Sequence, residues 1–253
     1  MCTVVLDWRP GTVWPLLLAG NRDEMRSRPW EGPARHWPDR PDVLAPIDSL
    51  AGGSWIGLNE TGVVACVLNR LGTLGPAPGR RSRGELVLDA LDHADAVDGA
   101  QALAELDGRA YRPFNLIVAD NRDAFWIRHA DPTGTAPITV HPLPVGLSVL
   151  TALDLNDEAD PRLAGALPRL RALPRPNPED EEDGWHAWQA VLADTTPARP
   201  DRPTSAVCFM TEQGFGTVCS TLVALPEPGH ARGQGRLWFA AGPPDRTPFQ
   251  RIV

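Results

Sequence analysis

The second residue of the chain is a cysteine, and the second strand-like run after it ends in four polar residues, Asn21-Arg22-Asp23-Glu24. A small residue after the initiator methionine permits removal of Met1, which leaves Cys2 with a free α-amine beside its own thiol. The thiolate is the nucleophile of such a residue, and an unperturbed thiol ionises at about pH 8.5. An α-amine with a pKa of about 7.7–8.0 accepts that proton near neutrality, so Cys2 needs no separate histidine base. An arginine alongside would favour the thiolate, and a carboxylate would hold the α-amine by hydrogen bonding; Arg22 and Asp23 are the candidates. The competing reading makes Cys2 the first residue of a strand and the polar cluster a solvated strand end. All 24 Lys+Arg positions are arginine, so the α-amine would be the only primary amine in the protein.

The elements that must position these residues begin with a hairpin. CTVVLDW (2–8) and VWPLLLAGNRD (13–23) are apolar or β-branched runs around Arg9-Pro10-Gly11-Thr12, and antiparallel pairing sets the polar cluster beside Cys2. The proline-rich stretch 28–46 reads as a long surface loop. A second hairpin joins 53–59 to VVACVLNR (63–70), and the glycine- and proline-rich segment 71–81 is a loop. Ser82-Arg83-Gly84-Glu85 has the form of a capping box and opens a helix through about Ala94, with another at 96–107. Strands are expected at 114–120, 124–130, ITVHPL, GLSVLTAL, 205–210, 216–225 and 236–242. Helices are expected at 161–173 and from Trp185 to Ala193, separated by an acidic, proline-rich loop at 174–183. Strands, helices, strands, helices, strands in that order suit an α+β layered domain, one unit over 1–253, with no fixed-period repeat. Two antiparallel sheets between helix layers satisfy the order, as do other α+β folds.

Composition excludes several classes of function. A formal net charge of -8 disfavours nucleic acid and anionic membrane surfaces. No apolar run approaches the roughly 18 residues needed to span a bilayer, and the N-terminus carries no signal-peptide pattern, so a cytoplasmic location is expected. Cys66, Cys208 and Cys219 lie in strand-like text without a CxxC pair and read as inert thiols. The six histidines show no metal-ligand spacing, so no metal and no cofactor are expected. Five tryptophans in the first part of the chain (Trp8, Trp14, Trp30, Trp37 and Trp55) would suit either the core or an apolar ligand pocket.

MCT followed by AGNRDE resembles the NRDE family, which includes the transport and Golgi organisation protein 2 group. The resemblance continues through GGSWIGLNETGVVACVLNR, SRGELV, FNLIVAD, LTALDLND and FGTVCSTLVAL. It implies the N-terminal-nucleophile (Ntn) hydrolase fold, an αββα four-layer sandwich related to the choloylglycine hydrolase and penicillin acylase group. It further implies Cys2 as nucleophile of linear amide C–N cleavage or acyl transfer, Arg22 and Asp23 beside it, and Asn69 as an oxyanion donor. Two departures stand out. Ala152 occupies the place where a Thr-Asn pair is expected at 151–152, and no late arginine stands near 216–219. The family resemblance also implies an alternative on the same fold: a non-enzymatic protein that binds haem or another hydrophobic ligand.

Overall fold

The computed structural model describes residues 2–180, 182–230 and 235–253. Met1, whose removal the amine chemistry requires, lies outside the described residues, as does position 181 of the acidic loop.

Two antiparallel sheets carry the chain. In the first, β1 (Thr3–Trp8), β2 (Leu16–Met25), β10 (Gly146–Leu150), β11 (Phe215–Leu225), β12 (Arg236–Ala240) and β13 (Gln250–Arg251) lie in the order β10-β1-β2-β11-β12-β13. In the second, β3 (Trp30–Ala34), β4 (Val43–Asp48), β5 (Ile56–Asn59), β6 (Val64–Asn69), β7 (Phe114–Ala119), β8 (Ala124–His129) and β9 (Thr139–Pro142) follow one another in chain order.

Successive side chains of a strand point to opposite faces, and here both faces are apolar. Val4, Leu6, Leu16 and Leu18 meet Ile56, Val64, Cys66, Leu68 and Ile117 between the sheets. Val5, Leu17 and Ala19 face the other way, against Leu163 and Leu167 of α3 (Pro161–Ala172) and Trp188 of α4 (His186–Leu192). Ala65, Val67, Leu116 and Val118 pack on Leu86 of α1 (Gly84–Leu91) and Leu103 of α2 (Ala96–Ala104). Each fully buried Val, Leu or Ile contributes about 1.5–3 kcal/mol, so both sheets need a cover on each face. The result is helix, sheet, sheet, helix: the αββα sandwich. The charged Asp7 is buried inside β1 because Arg175 and Arg9 donate to it, at 2.9 Å and 2.8 Å.

Three local expectations are corrected. Residues 28–46 are not one long loop: they hold β3 and the start of β4. Pro33 is tolerated because β3 is an edge strand whose register shifts between Glu31 and Ala34. Residues 205–210 form no strand beyond one bridge from Met210 to Gly216. Their backbone is held by other partners: Asn21 Nδ2 donates to the Val207 carbonyl, and Cys208 N donates to Asp194. Ser82 and Glu85 form no reciprocal capping box: α1 begins at Gly84 with Arg83 at its N-cap, and Ser82 Oγ accepts from Gly84 N at 3.2 Å.

One close backbone approach places α1. A Cβ on Gly53 would lie 2.5 Å from the carbonyl carbon of Gly84, so only glycine lets the segment before β5 meet the start of the helix. Ser54 N seals the contact by donating to the Gly84 carbonyl at 3.1 Å. Gly53→Ala is therefore expected to destabilise the protein by about 1–3 kcal/mol, as overpacking does. Urea unfolding reads this directly, and an unchanged midpoint would show that the approach tolerates a methyl group.

Candidate functional site

The ends of β1, β2 and β6, the segment before β5 and the loop leading into α1 surround a cleft of about 450 Å³. Cys2, Arg22, Asp23 and Asn69, the four candidates from the sequence, all line it.

Strand alternation explains how the polar cluster is divided. Asn21 and Asp23 follow Leu17 and Ala19 on the helix-facing side of β2, whereas Arg22 and Glu24 follow Leu16 and Leu18 towards the second sheet. Asn21 is structural: its Nδ2 donates to the carbonyls of Leu192 and Val207, and its Oδ1 accepts from Ser220. Asp23 is 2 % exposed. Its Oδ1 accepts from Thr217 Oγ1 at 2.8 Å, and its Oδ2 accepts from Arg162 Nη1 at 2.9 Å. The pairing of β2 with β11 shifts register between Thr217 and Cys219, opposite Asp23 and Arg22, an irregularity of the kind that re-aims side chains.

Cys2 extends the inter-sheet side of β1 and packs against that core. Asp23 N donates to its Sγ at 3.5 Å. Burial pushes the Cys2 thiol pKa up and the negative Asp23 pushes the same way; the Asp23 N–H and Arg22 oppose them without prevailing.

Arg22 is 6 % exposed. Its Nη2 donates to Asp48 Oδ2 at 2.8 Å, and its guanidinium lies 3.8 Å from the centroid of Trp55. Arg28 Nε donates to the same Asp48 oxygen at 2.5 Å, while Asp48 Oδ1 accepts from the N–H groups of Leu50 and Ala51. Burial would raise the Asp48 pKa, but the hydrogen bond and charge of Arg28, the Ala51 N–H and the charge of Arg22 hold it below the ordinary carboxylate range.

Asn69 ends β6, and its side-chain amide has no hydrogen-bond partner among the described residues. The turn after it is fixed. Arg70 Nη1 donates to Asn115 and Arg70 Nη2 to Asp154, each at 2.7 Å, and Leu71 N donates to the Ala152 carbonyl at 3.1 Å. Ala152 is buried and supplies backbone to that turn rather than a side chain to the cleft. The region near 216–219 that lacks an arginine is served from elsewhere: Arg162, in the first turn of α3, reaches Asp23 as well as Thr3 Oγ1 and the Thr204 carbonyl. Asp48, Arg83 and Arg162 are the site residues that sequence reasoning missed. Asp48 and Arg162 arrive from segments with no local motif and their partners are distant in sequence, and the Ser82–Glu85 motif marked a helix start rather than the Arg83 guanidinium.

Of the five early tryptophans only Trp55 lines the cleft, and Trp8 and Trp14 are core. Among the described residues no cluster of three or more His, Cys, Asp or Glu is gathered to hold a metal ion. None of their helices is long and apolar enough to cross a membrane.

A family model described as Transport and Golgi organisation 2 matches residues 1–233. The chain belongs to the Transport and Golgi organisation 2 family. No curated protein matches it in sequence. In shape this family member is similar to the Caenorhabditis elegans ortholog of N-acylethanolamine-hydrolyzing acid amidase. The TM-score is 0.58 at 16% identity, covering 92% of this chain and 96% of that one. A variant of conjugated bile acid hydrolase from Clostridium perfringens is similar at a TM-score of 0.53 and 12% identity, covering 98% of this chain and 96% of that one. These likenesses show the fold: the family member is an Ntn-hydrolase-type αββα sandwich.

Because native Asp48 holds its proton less tightly than an unfolded aspartate, its contribution to stability is complete above about pH 3.9 and is lost as pH falls through the lowered native value. Asp48→Asn leaves Arg22 and Arg28 without their shared carboxylate and is expected to cost about 2–4 kcal/mol at pH 7. The gap from the unmodified protein should narrow below about pH 3.9. Urea midpoints across pH 3–7 check this, and a gap of constant size would contradict the pairing.

Proposed function

We propose that this protein is a cysteine Ntn amidohydrolase or acyl-transfer enzyme acting on a linear amide. The observation that carries the reading is the placing of Cys2 at the mouth of a buried charge cluster, with Asp23 N–H on its sulfur and Arg22, Asp23 and Asn69 in the same cleft.

After Met1 is removed, the α-amine of Cys2 takes the Sγ proton as sulfur attacks the amide carbon. The carbonyl π electrons move to oxygen, and the side-chain N–H of Asn69, which has no hydrogen-bond partner among the described residues, donates to that oxyanion. Collapse of the intermediate breaks the C–N bond, and the leaving amine takes the proton back from the α-ammonium. Water or another acceptor, deprotonated by the same amine, then attacks the thioester and releases the acyl group. The raised thiol pKa fits a nucleophile whose proton leaves during attack rather than beforehand. Arg22 and Asp23 set the charge around Cys2: Arg22 favours the thiolate, and Asp23 favours both a protonated thiol and a protonated amine.

The donor set departs from that of the hydrolases it resembles at Ala152, which leaves Asn69 as the side-chain donor to the oxyanion. Asn69→Ala is therefore expected to lower kcat by about 10²–10³ with little change in KM. Cys2→Ala should abolish turnover and acyl-enzyme formation. Kinetics on a panel of N-acyl amides, with intact-mass detection of the thioester, measure both effects. Undiminished turnover by Cys2→Ala would refute the mechanism.

A further inference from the structure

The lining of the cleft is basic in an acidic protein. Six arginines face three carboxylates there, whereas the whole chain carries a formal charge of -8. The carboxylates are already engaged: Asp48 by Arg22 and Arg28, Glu24 by Arg28 at 3.8 Å, and Asp23 by Arg162. The surplus lies on the wall formed by the loop before α1.

On that wall Arg80, Arg83 and Arg112 have no carboxylate partner among the described residues. Arg112 donates to the carbonyls of Gly72, Leu74, Gly75 and Pro76. Arg80 donates to those of Gly108, Arg109, Tyr111 and Pro132. Arg83 Nη1 donates to Thr73 Oγ1 at 2.8 Å and to the Pro113 carbonyl at 3.0 Å. Neutral oxygens fix the positions of these guanidinium groups without cancelling their charge. Burial and the neighbouring Arg112 pull the Arg83 pKa down to about 10, against the opposing influence of Cys2 and Glu24. A second observation comes from the Asp48 side of the cleft: the buried Nη1 of Arg22 has no hydrogen-bond partner among the described residues. Arginines held in place, uncompensated and only partly solvated attract carboxylate or phosphate oxygens, which they bind in a bidentate manner.

We infer that the substrate carries an anionic group, a carboxylate or a phosphate, that seats against Arg83 with Arg80 and Arg112 behind it. The inference rests on the acyl-transfer reading for which end of the cleft holds the amide, since Cys2 and Arg83 then bracket the bound molecule. Like charge on one wall repels itself, and an anion removes that repulsion. The binding energy so gained is available only to substrates that carry the anion.

The test separates binding from turnover. Three ligands with one acyl chain are titrated calorimetrically into Cys2→Ala protein: N-octanoylethanolamine (neutral), its phosphate ester, and N-octanoylglycine (carboxylate). At least one charged ligand is expected to bind roughly tenfold or more tighter than the neutral one, with the advantage shrinking as NaCl is raised. The stronger of the two identifies the anion. Arg83→Gln should remove most of that advantage and leave the neutral ligand little affected. Arg83→Lys, which keeps the charge without the planar fork, should retain part of it. Equal affinity for all three ligands in the folded Cys2→Ala protein would overturn the inference whether or not the Arg83 variants fold. A full charge preference surviving in folded Arg83→Gln would overturn it too. Turnover of the neutral amide by the unmodified protein, together with equal affinities, would leave the acyl-transfer reading standing and sink the anion site alone.

Discussion

A single buried carboxylate ties the layers together at the site. Asp23 sits in β2 and accepts from Thr217 of β11 and from Arg162 of α3, and Arg162 in turn donates to Thr3 of β1. One ion pair therefore fixes the spacing between the first sheet and its helix layer beside Cys2. Its members are 3 % and 2 % exposed, and removal of either would strand a buried charge at a cost of about 3–5 kcal/mol. Such a pair adds little net stability over an apolar replacement of the same shape. Its effect is positional. With Asp23 held, its N–H points at Cys2 Sγ, and its negative charge adds to burial in raising the thiol pKa.

The rest of the cleft extends this division of labour. Asp48 gathers Arg22 and Arg28, and Trp55 covers the guanidinium face of Arg22, so Arg22 is held by one carboxylate and one ring. Gly53 and Gly84 bring the start of α1 against the segment before β5, which sets Arg83 in the lining of the cleft. The two walls are charged differently. The Arg22 side is internally neutralised, and the Arg83 side is not. In the proposed reaction, a Cys2 that shares its cleft with paired and unpaired arginines suits a substrate carrying both an amide carbonyl and a charged group.

Much of this fold is legible in the sequence because its strands are buried on both faces and read as largely apolar runs, as in Thr3–Trp8, Phe114–Ala119 and Phe215–Leu225. Misreadings fell where local signals and tertiary partners disagree. Proline at 33 hid an edge strand, and apolar 206–209 took its hydrogen bonds from Asn21, Asp194 and Thr217 rather than from a full ladder. Cys2, Arg22, Asp23 and Asn69 were found because a position in the chain or a motif marks them. Arg162 and Asp48 were not, because what makes them part of the site is a contact across 139 residues in one case and 26 in the other. Nothing at Asp160-Pro161-Arg162 beyond a helix start announces such a contact.

The proposed mechanism stands on Cys2 being the N-terminal residue with an accessible thiol. Because the chain has no lysine, an amine-reactive reagent reports on the N-terminus alone. The decisive measurement is an intact-mass spectrum of the purified protein after brief exposure, near neutral pH, to an amine-reactive and a thiol-reactive reagent. The expected result is a mass lacking Met1, one amine label, and a fast thiol label that maps to Cys2 ahead of the buried Cys66, Cys208 and Cys219. Retained Met1, or a Cys2 that reacts no faster than those three, would contradict the N-terminal nucleophile.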